Sequence, residues 1–378
     1  MPKKSIKLTN NCLQNEFICI DLIGLIYSTN NYGYYNLLKI SFQKEEVNMN
    51  PKMTVPEAAE LLNITGQAIL KKIKQKSLEH KKSQNRVFFG HTTAKEVFKF
   101  QFSPKIIAIQ VVKGGTGKTA LTQSIAVRAS LYGAKVLCVD LDQQGNLTQS
   151  FGIDADAHNS IVMLNVVKGE AELTKGIIPI NEGLHLFPSR INNASLEDYL
   201  MTESLPIDRV YKEYLDPLKS SYDLIIIDCP PALGRSVAAS ALSSDFVISP
   251  IIPEQSSLTG LDITFNALKV ASKKYKRKIN VKIVLNKFDV RTSLSHKILT
   301  YLIEHQEYRN CLFRTYIRQN QEFPNTFYKH TSIFDSVKPS TAKEDIDLLT
   351  REILEIIPAK EKEKDEKSFF PLESYGGN

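Results

Sequence analysis

Seven consecutive residues, Lys113-Gly114-Gly115-Thr116-Gly117-Lys118-Thr119, constrain this 378-residue chain more than any other stretch. They follow a β-branched run, Ile106-Ile107-Ala108-Ile109, and precede a helical stretch from Ala120 to Leu131. A strand that ends in a glycine-rich loop and continues as a helix is the setting that a phosphate-binding loop requires. Gly114, Gly115 and Gly117 let the backbone curl so that successive N–H groups face one anion, and the helix N-terminus adds its positive end. Lys118 is placed to neutralise β- and γ-phosphates, and the Thr119 hydroxyl to ligate Mg²⁺. The expected cofactors are therefore ATP and Mg²⁺, with Lys113 to Thr119 around the phosphates.

The pattern around this loop repeats. Short apolar runs at Val136–Val139, Leu224–Ile227, Phe246–Ile248 and Val281–Leu285 alternate with helical stretches. Such runs, apolar on both sides, belong to strands buried on both faces. The expected class is α/β: a doubly wound, mostly parallel sheet of the P-loop NTPase type. Ser340 to Ile357 reads as a final amphipathic helix, with Thr341 and Glu344 spaced as a capping box. The length suggests two or three domains. The boundaries expected are an irregular extension over 1–48, a small basic helical module over 49–104, the ATPase domain over 105–357 and a charged flexible tail over 358–378. The extension shows no clear period. The codons for Glu45-Glu46-Val47-Asn48 would resemble a bacterial ribosome-binding site just ahead of Met49, so the true start is expected either there or at Met1. Apolar residues make up 42% and charged residues 24%, which excludes a disordered or fibrous chain. No apolar run approaches the ~18 residues of a membrane span, so no membrane partner is expected. Five cysteines lie far apart with no Cys-x-x-Cys pair, which argues against a disulfide framework or zinc ribbon and fits a reducing cytoplasm.

Lys113 does not belong to the general phosphate-loop pattern. With it, the loop resembles the deviant Walker A motif of the ParA/MinD class of ATPases, where this lysine reaches across a dimer to the partner's nucleotide. Two further segments resemble the same class. Val136-Leu137-Cys138-Val139-Asp140-Leu141-Asp142-Gln143-Gln144-Gly145-Asn146 is similar to the first switch segment of ParA, with Gln143 in place of the usual proline. Tyr222 to Pro231 is similar to the Walker B strand and second switch. The resemblance implies that Lys113, Lys118 and Asp142 serve catalysis, Asp142 by orienting the attacking water. It also implies that Asp140 and Asp228 join Thr119 in the Mg²⁺ shell. Asn286, in Asn286-Lys287-Phe288-Asp289-Val290-Arg291-Thr292, is expected at the adenine, and Arg291 at DNA. The family's second DNA-contacting arginine aligns with Glu322, which leaves Arg318, Lys329 and Lys338 as candidate substitutes. The resemblance covers about two-thirds of the chain, Lys105 to Ile357.

Ahead of it lies a basic module. Between Met53 and Phe100 nine Lys/Arg face four Glu, a balance of +5 (9 − 4) within a chain of net charge +7. Thr54 with Glu57 and Pro56 signals a first helix, and Thr65 caps a second helix reaching about Lys76. Two short helices with a tight turn and a basic second helix describe a helix-turn-helix. It resembles the winged form found in MerR and excisionase proteins, with Leu78 to Phe89 as the wing. Lys71, Lys72, Lys74, Lys81 and Arg86 are the expected phosphate contacts, joined by Lys82. A helix-turn-helix ahead of a deviant-Walker ATPase resembles the larger ParA partition proteins. That resemblance implies a weak, partner-stimulated ATPase that forms a homodimer on ATP and binds DNA, both non-specifically and at an operator. It further implies a centromere-binding ParB-like partner and a place in the cytoplasm on the nucleoid. The alternative is a nucleotide-switched transcriptional repressor with little turnover.

Overall fold

In the computed structural model, which describes residues 49–83 and 85–357, the apolar runs assemble into one seven-stranded sheet. The expected extension and charged tail lie outside the described residues, as do Cys12 and Cys19. The described chain opens with β1 (Met53–Thr54), α1 (Val55–Leu62), α2 (Gly66–Gln75), β2 (Lys81–Ser83), β3 (Arg86–Phe89) and α3 (His91–Phe98). Next, β4 (Lys105–Ile109) leads to α4 (Lys118–Leu131), and β5 (Val136–Asp140) to α5 (Asn146–Ser150) and α6 (Met163–Val167). The hairpin of β6 (Ile178–Asn181) and β7 (Leu184–Phe187) precedes α7 (Leu196–Thr202) and α8 (Lys212–Leu215). Then come β8 (Leu224–Asp228), α9 (Arg235–Ser243), β9 (Phe246–Ile251), α10 (Gln255–Tyr275) and β10 (Val281–Leu285). Helices α11 (Ser293–Glu304), α12 (Glu322–Tyr328) and α13 (Thr341–Leu354) close the described chain.

The sheet order is β10-β9-β4-β8-β5-β7-β6, with every neighbouring pair parallel except β6 with β7. The doubly wound α/β expectation is thus met. Because strand side chains alternate between faces, Ile107, Ile109, Val136, Cys138, Leu224 and Ile226 enter one core. Their neighbours Ile106, Ala108, Leu137, Val139, Ile225 and Ile227 enter another. Both faces being covered explains why the sequence shows runs rather than alternation. Cys138 and Cys229 are buried free thiols, small apolar fillers at strand centre and strand end.

The N-terminal module shares the first core. Thr54 and Glu57 form the expected capping box, with the Thr54 N–H donating to Glu57 Oε2 at 2.8 Å, and Thr65 caps α2. Ile69 and Ile73, four apart on α2, are fully buried. The wing is a β2–β3 hairpin, with β1 pairing on the far side of β3. At the far end of the chain the cap lies one residue from its expected place. Ser340, not Thr341, caps α13 by accepting the Lys343 N–H, because Ser340 holds the extended backbone that a cap needs.

Arg128, on the last turn of α4, ties these parts together. It is 3% exposed, pairs with Asp347 of α13 and lies 3.7 Å from Glu57 of α1. Its guanidinium stacks over the rings of Tyr132 and Phe334 at 4.8 and 5.2 Å. Nearby, His91 Nδ1 is 2.9 Å from the Ser130 carbonyl, and Thr92 Oγ1 donates to Glu182 at 2.7 Å.

Two outcomes are expected. Arg128→Ala leaves Asp347 with Arg351 alone and Glu57 without a cation, empties a buried site and lowers unfolding stability by about 3–5 kcal/mol, read by urea denaturation; a loss below about 1 kcal/mol would show that the pair is not a structural tie. Burial holds the His91 pKa below its ordinary 6.5, so the folded state binds fewer protons than the unfolded chain. The stability this gives is whole above about pH 6.5 and declines as pH falls below it. Thermal melts of His91→Gln should be flatter between about pH 7 and 5 than those of the parent.

Candidate functional site

Three strand ends and one loop build the site. β4 ends at Ile109 and the chain turns through 110–117 into α4. Gly115 (φ +74°) and Gly117 (φ +91°) take left-handed backbone, a conformation that strains any L side chain. At Gly117 there is no room either, since a Cβ would stand 2.3 Å from Asn286 Nδ2. That amide donates to the Thr116 carbonyl at 2.7 Å, while its own oxygen accepts the Lys287 N–H at 2.9 Å. Lys287 Nζ donates to the Gly115 carbonyl at 3.0 Å. The segment after β10 therefore clamps the loop from outside. Asn286, expected at the adenine, braces the loop, with both ends of its amide engaged.

Lys118 is 7% exposed and its ammonium reaches only the Val111 and Lys113 carbonyls, at 3.4 and 3.3 Å. It forms no ion pair among the described residues. Burial depresses its pKa, against the pull of Asp228 and Asp142. Thr116 Oγ1, in the same loop, is buried without a partner. An under-satisfied ammonium and an orphaned hydroxyl in a curled loop are donors that a phosphate would complete.

Register places Asp140 of β5 directly beside Asp228 of β8. Asp140 accepts the Asp142 N–H at 3.0 Å and both the N–H and Oγ1 of Thr148, at 2.9 and 2.7 Å. Asp228 accepts Thr119 Oγ1 at 2.8 Å and Thr122 Oγ1 at 3.2 Å. Burial above all, with the Asp228 charge adding to it, pushes Asp140 up to about 8. Asp228 is pushed up to about 7 by burial, against the hydrogen bond from Thr119. Two buried carboxylates beside a hydroxyl that donates to one of them form an all-oxygen donor set, which suits a hard divalent ion such as Mg²⁺. Asp142 lies just past β5, buried, its Oδ1 accepting the Gln144 N–H at 3.0 Å. Gln143 beside it is exposed. Lys113 stands at the loop's entrance, half-buried, with Nζ 3.2 Å from Glu254 just ahead of α10.

The expected DNA contacts separate into free and engaged. Lys71, Lys74, Lys81 and Lys82 are exposed, Lys81 with Glu79 at 3.6 Å. Lys72 instead turns inward and donates to the Val97 carbonyl at 2.5 Å. Arg86 donates to the Val337 carbonyl at 2.7 Å, and Lys76 pairs with Glu96 at 2.5 Å. Arg291 projects into solvent, yet Asp289 grips its Nε and Nη2 at 2.9 and 2.8 Å. Arg318 is held by Asp345 and Glu344. Sequence reasoning missed Thr148, Glu254 and the bracing role of Asn286. The first partner to each is set by folding rather than by a local motif, so no spacing signal marks them.

A family model described as an AAA domain matches residues 104–281. The chain is 31% identical over 219 residues to the sporulation initiation inhibitor protein Soj of Bacillus subtilis, covering 57% of this chain and 85% of that protein. Among solved structures, an ATP complex of Cyanothece McdA is similar at a TM-score of 0.61 and 20% identity, over 68% of this chain and 98% of that one. A putative plasmid partition protein of Borrelia burgdorferi bound to AMPPNP is similar at a TM-score of 0.54 and 22% identity, over 68% and 100%. The two structural likenesses bear on the fold.

Asp140→Asn keeps an acceptor for Thr148, gives up the one that takes the Asp142 N–H, and removes one of two adjacent buried charges. The metal-free variant is expected to melt about 2–4 °C higher than the parent near pH 8, equivalent to ~1 kcal/mol. It is also expected to lose most of the further rise that Mg²⁺ with nucleotide gives the parent. A lower melting temperature without metal would show that the carboxylate pair is not a source of strain.

Proposed function

The chain belongs to the ParA family of ATPases, and from that premise we propose that it is an ATP-driven DNA-segregation protein. Lys113 carries this reading. Lys118 already supplies the loop's buried ammonium, so the loop has no internal need for a second lysine. Lys113 instead rests at the entrance on Glu254, in a pair exposed enough to exchange for a stronger anion. A nucleotide bound by a second copy of the chain would offer that anion, making ATP part of a homodimer interface.

ATP, when bound, supplies the phosphoanhydride to be cleaved and Mg²⁺ the countercharge on its phosphates. Gly114 to Gly117 and Lys118 bind the phosphates, Thr119, Asp140 and Asp228 hold the metal, and Asp142 orients the attacking water. Lys71, Lys74 and Lys81 of the front module serve operator binding, and Arg291, once freed from Asp289, contributes to non-specific contact. A centromere-binding ParB-like protein would stimulate hydrolysis, in the cytoplasm on the nucleoid. Among the described residues no helix is long and apolar enough to cross a membrane. The gripped Arg291 and the exposed Gln143 favour a second reading, a repressor that uses nucleotide as a ligand switch.

Binding of the full chain to random-sequence DNA, without nucleotide and with ADP or ATP, separates the two. Affinity at least about tenfold higher with ATP, abolished by Lys113→Ala while ATP is still bound, is the outcome expected for segregation. Binding confined to one operator and indifferent to Lys113→Ala would install the repressor reading in its place.

A further inference from the structure

A second cationic surface lies outside the front module. Lys273-Lys274-Tyr275-Lys276-Arg277-Lys278 carries five cations in six consecutive residues. Lys273 and Lys274 occupy the last turn of α10 and Lys276 caps it with left-handed backbone (φ 50°). Arg277 and Lys278 follow in the turn toward β10. The four lysines are exposed and Arg277 is half-buried. The turn is fixed in shape: the Arg277 N–H donates to the Ser272 carbonyl at 3.1 Å, and Ser272 Oγ donates to the Arg277 carbonyl at 2.7 Å.

No carboxylate compensates this charge among the described residues. Glu307, one candidate, is held by Lys269 at 2.8 Å, and Asp245, beside Asn280, is held by Lys219 at 3.0 Å. A helix C-terminus offers only about half a negative charge, enough to account for the lysines within the last turn. It does not account for three more cations beyond the helix end. Like charges held this close repel one another, and an external polyanion relieves them.

We propose that this pole of the molecule is a contact surface for the phosphodiester backbone of double-stranded DNA, separate from Arg291 and from the front module. The run of exposed cations along a helix end and turn matches repeated phosphates better than one buried anion, because backbone contacts require charge and no pocket. A membrane surface is disfavoured by the lack of apolar anchors: of the exposed large apolar side chains, only Val270 lies within a turn of the patch on α10. Topology adds a consequence. The patch precedes β10 and so sits at the N-terminal edge of the parallel strands, whereas the phosphate loop follows the C-terminal end of β4. The 21 residues of α10 span roughly 30 Å. At the helix's start Gly260 lies against Lys113, where a Cβ would come within 3.1 Å of the lysine's own. DNA held at this pole therefore leaves the nucleotide face clear.

The proposal takes its ligand from the DNA-binding part of the reading above but needs neither ATP nor a dimer. The test is a full-length variant with Lys273, Lys274, Lys276 and Lys278 all changed to Gln, titrated with random-sequence duplex DNA over a range of salt in each nucleotide state. Expected are a salt slope shallower by about 2–4 and affinity near 100 mM salt at least about tenfold lower in every state, with melting temperature and ATP binding unchanged. An unchanged slope and affinity would overturn it. So would a variant that keeps DNA but loses binding to vesicles of phosphatidylserine and phosphatidylcholine. Lys113→Ala in the same assay keeps the two ideas apart: it removes nucleotide dependence if the segregation reading holds, and leaves the patch's salt slope in place whether or not it does.

Discussion

The buried guanidinium of Arg128 is the interaction on which the arrangement of the described chain turns. α4 begins at the phosphate loop and ends at this side chain, and the helix is buried on nearly every side. A buried cation is tolerable only where partners surround it. Those partners are Tyr132, one turn further on, and three from distant parts of the sequence: Glu57 of α1, Phe334, and Asp347 of α13. Glu57 also closes the capping box of α1. One residue thus fixes the helix that carries Lys118 and Thr119 against the front helical pair and the C-terminal helix. The front module is packed into the same core as the loop's own helix, and rearrangement at either end of α4 meets resistance at the other.

At the opposite end of α4 the chemistry is left incomplete. Lys118 has two long contacts to carbonyls, and Asp140 and Asp228 stand side by side, both buried. Each group alone is destabilising in a buried setting. Together they define a charge pattern, an ammonium for an anion and two carboxylates for a metal, that one metal–phosphate complex would satisfy at once. The hydrogen bonds from Thr119 and Thr122 to Asp228 moderate the strain without removing it.

Much of this was legible in the sequence, for identifiable reasons. The sheet was readable because strands buried on both faces must be apolar at every position, as in Leu224 to Ile227. The loop was readable because a curled backbone demands glycine at fixed places, Gly115 and Gly117 among them. The caps at Thr54 and Thr65 obey local rules, and even the miss at α13 moved by a single residue. What stayed hidden depends on contacts between remote segments. Nothing near Arg86 announces that its guanidinium will donate to the Val337 carbonyl, and nothing near Asn286 announces Thr116. The cationic run at Lys273 to Lys278 stands in the sequence, yet net charge hides it. The front segment's +5 leaves only +2 for the rest (7 − 5), so acids elsewhere conceal a local excess that only the structure shows to be unpaired.

Energetics also bear on how the site would switch. The Lys113–Glu254 pair is only partly buried on the lysine side and half-exposed on the glutamate side, a setting in which ion pairs contribute no more than about 1 kcal/mol. The Lys118 and Asp140 environments are far less forgiving, because Lys118 is largely and Asp140 fully removed from solvent. A molecule so built keeps Lys118 and Asp140 fixed and its entrance lysine loosely held. Exchange of Lys113 from Glu254 to a nucleotide phosphate would therefore begin from a weak contact, and the free energy of that exchange would be set mainly by the new partner. α10 starts beside Glu254 and ends in the uncompensated cations of Lys273 to Lys278, so the helix that releases Lys113 is also the one that carries the second basic surface.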